Sequence, residues 1–304
     1  MKTISQLLAE ELGCKQEYVD NVVALLDEGN TIPFIARYRK EAHGAMDDTQ
    51  LRLLETRLTY LRNLQARRDE VKSSIENQGK LTDELSAAID NAATLSEVED
   101  LYRPYKQKRR TRATVAREKG LAPLADAIFA QERNAKTPEE LAKDFLNPDL
   151  GVETIEDALA GANDIIAEQI SDDAELRKGL RAMTQKKAVC ASKPAKEDED
   201  SVYRLYYDFT QPVSKLQSHQ ILALNRGEKE GFLKVSLDLD RAACLQLIKR
   251  SAVRPGSACM AFVAAAAEDS FDRLLEPSME RELRTCLTDT ANEAAIGNFA
   301  LNLR

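Results

Sequence analysis

The sequence predicts an all-α, mainly helical fold with one minor strand or hairpin. Aromatic residues make up 5% of the 304 residues, Trp is absent, and there are 12 Gly and 9 Pro. Residues of high helix propensity therefore dominate the chain. Apolar residues also recur at helical spacing along most of its length. The apolar content of 43% is enough to form a core in about two domains.

The first 80 residues are predicted to form a helix-turn-helix-like bundle that ends in a long central helix. Two short helices, near 4–12 and 19–26, are each followed by a glycine. Thr31 is predicted to cap a third helix, which has a proline in its first turn and carries Phe34 and Ile35 on one side. Residues 48–78 contain neither Gly nor Pro, and their charged middle is predicted to cross solvent between two packed ends. One face of this helix carries Leu51, Leu54, Leu58 and Leu61.

The remaining elements follow from capping residues and from one change in composition. Thr82 and Ser96 are predicted to cap short helices, and Thr137 opens a capping box with Glu140. Residues 192–201 are polar and acidic, which predicts an exposed linker between domains 1–191 and 202–304. The other predicted elements are helices at 154–170, 172–189, 215–225, 242–249 and 257–304 with a break at Pro277, a short aromatic helix from Tyr203, and a strand at 232–239.

Several classes of protein are disfavoured by composition. The longest uncharged apolar run, 258–267, is ten residues, whereas a membrane span needs about 20. The first dozen residues lack a basic stretch followed by an apolar one, so we expect a cytoplasmic protein with no membrane partner. Five scattered cysteines and two histidines support neither a disulfide framework nor a zinc site.

The sequence contains no common catalytic or cofactor-binding motif, so we expect no enzyme activity, no cofactor and no metal. His43 and His219 are interpreted as structural. Residues 227–231 are interpreted as a helix-to-strand turn, because two glutamates there would repel a phosphate. The aromatic cluster that starts at Tyr203 has two open interpretations, core packing and base stacking.

The strongest electrostatic feature is the basic segment, defined as residues 103–119. It carries eight Lys and Arg residues against Glu118 alone, although the whole chain has a net charge of −8. The first 120 residues hold 20 basic and 20 acidic residues, so the excess of acid lies in the rest of the chain. Residues 105–112 are predicted to form a loop. This loop could contact nucleic acid, clamp onto the acidic part of the chain, or serve only as a solvated face.

Of these three interpretations, nucleic-acid contact is the one for which the sequence provides specific candidate residues. Lys and Arg contact phosphate oxygens, and such contacts position a protein without reading bases. Either RNA or DNA would fit. The candidate residues are Lys106, Lys108, Arg109, Arg110, Arg112 and Arg117 in the basic segment, and Arg37, Arg39 and Lys40 on the third helix.

Five stretches carry a resemblance to a known family. They are residues 31–41 (TIPFIARYRKE), 78–82 (QGKLT), 99–113 (EDLYRPYKQKRRTRA), 226–231 (RGEKEG) and 302–304 (NLR). These residues resemble the Tex family of bacterial transcription accessory proteins. His43, Arg103, Gln107 and Gln220 depart from the family pattern.

The resemblance implies that an RNase H-like domain, helix-hairpin-helix modules and an RNA-binding OB-fold follow this region, with residues 202–304 leading to the first of them. It further implies a non-enzymatic N-terminal portion of a nucleic-acid-binding factor in transcription or RNA metabolism. The alternative is an interaction scaffold that docks onto other domains or onto the transcription or translation machinery, without touching nucleic acid.

Overall fold

The structure is a computed structural model that describes residues 2–44, 46–106, 110–133, 136–195 and 201–302. These residues are mainly helical and include one three-stranded sheet, which confirms the predicted fold class. Their contacts group the chain into an N-terminal unit, Met1–Tyr105, and a C-terminal unit, Lys106–Arg304. In the part of the chain that is described, no helix has both the length and the apolarity to cross a membrane.

The N-terminal unit is helical throughout its described residues. Two of its helices begin with capping boxes, in which Thr3 accepts from the backbone of Gln6 and Asp47 from that of Gln50. Its helices are α1 (Ile4–Leu12), α2 (Gln16–Asp27), α3 (Ile32–Tyr38), α4 (Lys40–His43), α5 (Asp48–Glu76), α6 (Asp83–Asn91) and α7 (Leu95–Tyr102).

Helix α5 confirms the prediction of a long continuous helix. Its 29 residues span about 43 Å at 1.5 Å per residue. The first half packs against α1, α2 and α3 around Leu51, Leu54 and Leu58, and the second half packs against α6 and α7 around Val71 and Ile75. The charged turn between the two clusters is partly exposed, as predicted.

One predicted cap in this unit is wrong. Thr82 caps α6 as expected, but α7 is capped by Thr94 and not by Ser96. The Thr94 hydroxyl accepts from the backbone N–H of Glu97 at 3.2 Å, and the Glu97 carboxylate accepts from the backbone N–H of Ala93 at 2.6 Å. This reciprocal bonding satisfies two N–H groups at the helix start, which Ser96 inside the first turn cannot do.

The C-terminal unit is built around one helix of 17 residues, α11, which contacts α8, α9 and α15. The predicted capping box at Thr137 and Glu140 is confirmed. The helices of this unit are α8 (Arg112–Glu118), α9 (Ala122–Ala130), α10 (Pro138–Ala142), α11 (Ile155–Ser171), α12 (Ala174–Lys187), α13 (Ser218–Lys229), α14 (Arg241–Ala252), α15 (Met260–Ser270) and α16 (Glu276–Asn302).

The same unit holds an antiparallel sheet that the sequence predicts only in part. Strand β1 (Val189–Pro194) lies between β2 (Phe209–Pro212) and β3 (Leu233–Asp238), and the predicted strand at 232–239 is β3. Gly231, with φ +80°, lies in the turn between α13 and β3. The predicted helix-to-strand turn is therefore confirmed at its end, whereas residues 227–229 still belong to α13.

The linker prediction is wrong for residues 192–194, because they belong to β1. Ser192 is buried, it faces Phe209 and Val235 in the sheet register, and its hydroxyl donates to the carbonyl of Tyr206. Residues 196–200 lie outside the described residues. The chain passes from one compact unit to the other after Tyr105, whereas the sequence placed a boundary at 192–201.

The aromatic cluster that starts at Tyr203 packs largely in the core. Tyr203 is buried with its ring 5.8 Å from that of Phe232, as the core interpretation predicts.

The C-terminal helices have an irregular turn near Pro277. A π-helix, Phe271–Leu275, joins α15 to α16 just before Pro277. Pro277 has no N–H to donate to a preceding carbonyl, which accounts for a change of helix type at this point.

Candidate nucleic-acid interface

The first basic surface lies on α3 and the start of α4, in the N-terminal unit. Helix α3 buries Ile32 and Ile35 in the core against α5 and turns its other side to solvent. The sequence grouped Phe34 with Ile35, but the structure places Phe34 on the exposed side. We call the exposed group the α3 patch: Phe34, Arg37, Tyr38, Arg39 and Lys40.

Two aromatic rings form the apolar part of the α3 patch. Phe34 is 36% exposed and Tyr38 is 59% exposed, and their ring centroids are 5.3 Å apart at an interplanar angle of 45°. The two residues are four positions apart, which brings side chains together on one face of a helix. The guanidinium carbon of Arg39 lies 5.7 Å from the centroid of the Phe34 ring, a cation–π distance.

The positive charges of the α3 patch are not balanced by neighbouring acids. Among the described residues, no ion pair joins Arg37, Arg39 or Lys40 to a carboxylate, and Glu41 in α4 bonds none of them. The cations along α5 behave differently, because most of them are paired with acids. These pairs are Arg52–Asp48 at 2.9 Å, Arg57–Glu11 at 2.7 Å, Arg62–Asp27 at 2.7 Å, Arg67–Glu99 at 2.6 Å and Lys72–Asp90 at 2.6 Å.

Two of the α5 ion pairs also change the titration of their acids. The hydrogen bond from Arg57 holds the pKa of Glu11 below its usual value, and the hydrogen bond from Arg62 does the same for Asp27. Arg57 and Arg62 therefore act within the unit, on acids of α1 and α2. The α3 patch keeps its charge available to an anion in solution.

The backbone beyond the α3 patch is fixed by the packing of α4 on α2. The Asn21 amide donates to the carbonyl of Ala42 at 3.3 Å, and His43 is buried. Gly44 has φ +62°, and a Cβ there would lie 2.7 Å from the ring of Tyr18. Only glycine fits this close approach in the left-handed region. The patch is consequently held on a short, well-packed element.

The second basic surface is the part of the basic segment in the C-terminal unit. Lys106 and Arg110 are exposed, and Arg110 forms an exposed ion pair with Glu118 at 3.2 Å. The candidates Lys108 and Arg109 lie outside the described residues. Thr111 caps α8, so the predicted loop ends at Thr111 and the segment continues as a helix.

The helical end of the basic segment is bound to acids of α11. Arg117 forms an ion pair with Glu168 at 2.6 Å, and the Thr111 hydroxyl donates to the same carboxylate at 3.1 Å. Burial raises the pKa of Asp164, while the charges of Arg273 and Arg112 act in the opposite direction. Arg117 thus makes a contact of the kind that the internal-clamp interpretation predicts, whereas the Arg112 side chain remains exposed.

No site for a metal is formed by the described residues, since no three His, Cys, Asp or Glu side chains are grouped to hold one. The five cysteines carry free thiols. Burial raises the pKa of Cys244 to about 11, so this thiol is uncharged at neutral pH. His219 lies exposed on α13.

These observations define a class: a mainly helical protein with exposed, basic side chains on each of two compact units. Comparison with known proteins then gives the family. The description "Tex-like protein N-terminal domain" matches residues 2–76, and "Tex central region-like" matches residues 133–299. The chain belongs to the Tex family, which confirms the resemblance seen in its motifs.

Individual relatives agree with this assignment. The protein YdcI of Bacillus subtilis (strain 168) is 43% identical over 99% of this chain and 42% of its own length. Transcriptional accessory protein Tex of Neisseria gonorrhoeae is 44% identical over 77% of this chain and 31% of its own length. S1 RNA-binding domain-containing protein 1 of Homo sapiens is 31% identical over 98% of this chain and 31% of its own length. The chain therefore spans less than half the length of these relatives.

Proposed function

We propose that this chain is a non-enzymatic N-terminal portion of a transcription accessory factor, and that it binds nucleic acid through the phosphate backbone. The observation that carries the proposal is the exposure of Arg37, Arg39 and Lys40 at neighbouring positions of the chain, without an ion pair among the described residues. The exposed cations Lys106 and Arg112 of the C-terminal unit support it. The family role indicated by the relatives, in transcription and with nucleic acid, points in the same direction.

Physical chemistry favours a polyanion as the ligand of such surfaces. A nucleic-acid backbone releases condensed counterions when Lys and Arg neutralise its phosphates, so binding is favourable and falls with salt. Phosphate contacts carry no sequence information, so we expect little preference among sequences. RNA and DNA share this chemistry, and the proposal covers both. A cytoplasmic location remains a prediction.

The α3 patch provides the first test. Arg37→Gln with Lys40→Gln removes two unbalanced charges, so the slope of log Kd against log salt on a single strand should flatten by about 1.4. The measurement is fluorescence anisotropy of a labelled 12-nucleotide strand titrated at several salt concentrations. The matched control is Arg52→Gln with Arg62→Gln, which removes two paired charges of the same unit and should leave the slope unchanged. Equal slopes for both double variants would contradict a role for the patch.

The basic segment provides the second test, in the C-terminal unit. Lys106→Gln with Arg112→Gln should flatten the same slope by about 1.4, because both side chains are exposed and neither forms an ion pair among the described residues. The control is Arg226→Gln with Arg241→Gln, whose charges are paired with Glu230 and Asp272. Loss of thermal stability without a change of slope would instead assign the segment to the internal clamp.

The second candidate function is a protein-interaction scaffold that docks onto other domains or onto the transcription or translation machinery. It is favoured by Val202 and Leu205 in the C-terminal unit, which are 89% and 88% exposed. Large apolar side chains that are this exposed, three positions apart in the chain, are typical of a protein contact when they form a contiguous patch. If the wild-type chain shows no salt-dependent binding to any nucleic acid, this candidate replaces the proposal.

A further inference from the structure

We infer that Phe34 and Tyr38 stack unpaired bases, so that the α3 patch binds single-stranded nucleic acid in preference to duplex. The inference rests on the proposed function and deepens it, because it adds contacts to bases beside the contacts to phosphates. It assigns a role to two residues that charge alone does not single out.

The first step is the exposure of the rings. Helix α3 buries its branched aliphatic side chains, Ile32 and Ile35, and leaves both of its aromatic rings in contact with water. Three large apolar side chains are exposed among the described residues of the N-terminal unit: Phe34, Tyr38 and, on α5, Leu53. A ligand that meets the α3 patch therefore meets aromatic rings in particular, and unpaired bases can stack on such rings.

The second step is the arrangement of charge around the rings. Arg39 lies 5.7 Å from the centre of the Phe34 ring, and Arg37 and Lys40 are exposed and unbalanced nearby in the sequence. A nucleotide places a planar ring and an anionic phosphate one sugar apart. In the α3 patch, aromatic rings and cations likewise lie within a few residues of one another, as they do in known single-strand binders.

The third step is the distinction from a duplex. In double-stranded nucleic acid the base faces are covered by neighbouring base pairs, and only the edges and the backbone are accessible. The cations can contact either form, but stacking on Phe34 and Tyr38 requires an unpaired base. Stacking on an aromatic side chain contributes roughly five- to 150-fold in affinity per base, so the preference should be measurable.

The experiment separates stacking from phosphate contact with three probes of 12 nucleotides: a single strand, an abasic strand with the same phosphates, and a duplex. The wild-type chain should bind the single strand about tenfold or more tightly than the abasic strand. Phe34→Leu with Tyr38→Leu should abolish this difference and leave the salt slope on the abasic strand unchanged. Leucine keeps an apolar, helix-favouring side chain at both positions.

The matched control is the exchange Phe34→Tyr with Tyr38→Phe, which preserves both rings and should preserve the preference for the single strand. If the double Leu variant does not fold, Tyr38→Leu alone serves, because the Tyr38 side chain is mostly in solvent. Equal wild-type affinities for the single and abasic strands would overturn the inference and would point to a protein partner for the rings. If the proposed function itself were wrong, none of the three probes would bind in a salt-dependent manner, and this result distinguishes the two failures.

Discussion

Replacing Arg177 by Ala should lower the free energy of unfolding by about 2–3 kcal/mol, because the buried groups that bind its guanidinium lose a charged hydrogen-bond donor, while Glu282 keeps its ion pair with Arg181 at 2.9 Å. Arg177 on α12 has no exposed surface, although arginine is among the residues least often found fully buried. Its guanidinium donates to the carboxylate of Glu282 and, at 3.0 Å, to the hydroxyl of Ser278, both on α16. The side chain thus joins two helices of the C-terminal unit.

The control for Arg177 is an arginine with the same chemistry at the surface. Arg241 donates two hydrogen bonds to Asp272, at 2.8 and 2.9 Å, but both side chains are about half exposed. Arg241→Ala should therefore have a much smaller effect on the free energy of unfolding than Arg177→Ala. Urea unfolding followed by circular dichroism measures both variants. Similar losses for the two would show that burial does not set the strength of the Arg177 contacts.

Much of the helical structure was predictable because its signals are local. The Thr137–Glu140 capping box and the leucines of α5 lie within a few residues of one another, and the structure confirms both. The prediction of Ser96 as the cap of α7 is wrong because another hydroxyl residue, Thr94, lies only two positions earlier. The reciprocal bond from the backbone of Ala93 to Glu97 distinguishes them, and it depends on the turn before the helix.

Strands β1 and β2 were missed because their signals are not local. Val189–Pro194 follows helix α12 almost directly and contains Ser, Lys and Pro, a composition typical of a loop. Ser192 is buried only because β2 and β3, which come later in the chain, pair on both sides of β1. Hydrophobic periodicity cannot reveal burial that is created by pairing across the sequence.

In the candidate site, too, contacts between residues far apart in the sequence could not be predicted. The clusters of Arg and Lys were visible in the sequence, but their partners were not. Arg117 meets Glu168, which lies 51 positions further along the chain, so its internal contact could not be read from the sequence around it. The exposure of Phe34 was open to prediction, because Ile32 and Ile35 define the buried face of α3 and Phe34 pairs with Tyr38 four positions later.

Replacing Leu58 by Pro should lower the free energy of unfolding by about 3 kcal/mol or more. Leu58 lies in the middle of α5, is buried, and packs in the cluster formed with α1, α2 and α3. Proline has no N–H to donate to the carbonyl four residues earlier, and its ring clashes with that carbonyl. The loss of the leucine side chain from the core adds to this cost. The measurement is the change in urea midpoint, followed by circular dichroism.

A proline at a second position of α5 tests whether the expected loss depends on the position of residue 58 or would follow from any proline in this helix. Asp48 occupies the first position of α5, where the N–H has no partner within the helix, and Asp47 before it is extended (φ −81°, ψ 172°), as a residue before proline must be. Asp48→Pro should therefore have a much smaller effect, which includes the loss of the exposed pair with Arg52. If Leu58→Pro were as mild as Asp48→Pro, residue 58 could not lie inside a continuous, buried helix. A large difference between the two requires both the unbroken hydrogen bonding and the packed face that the structure gives to α5.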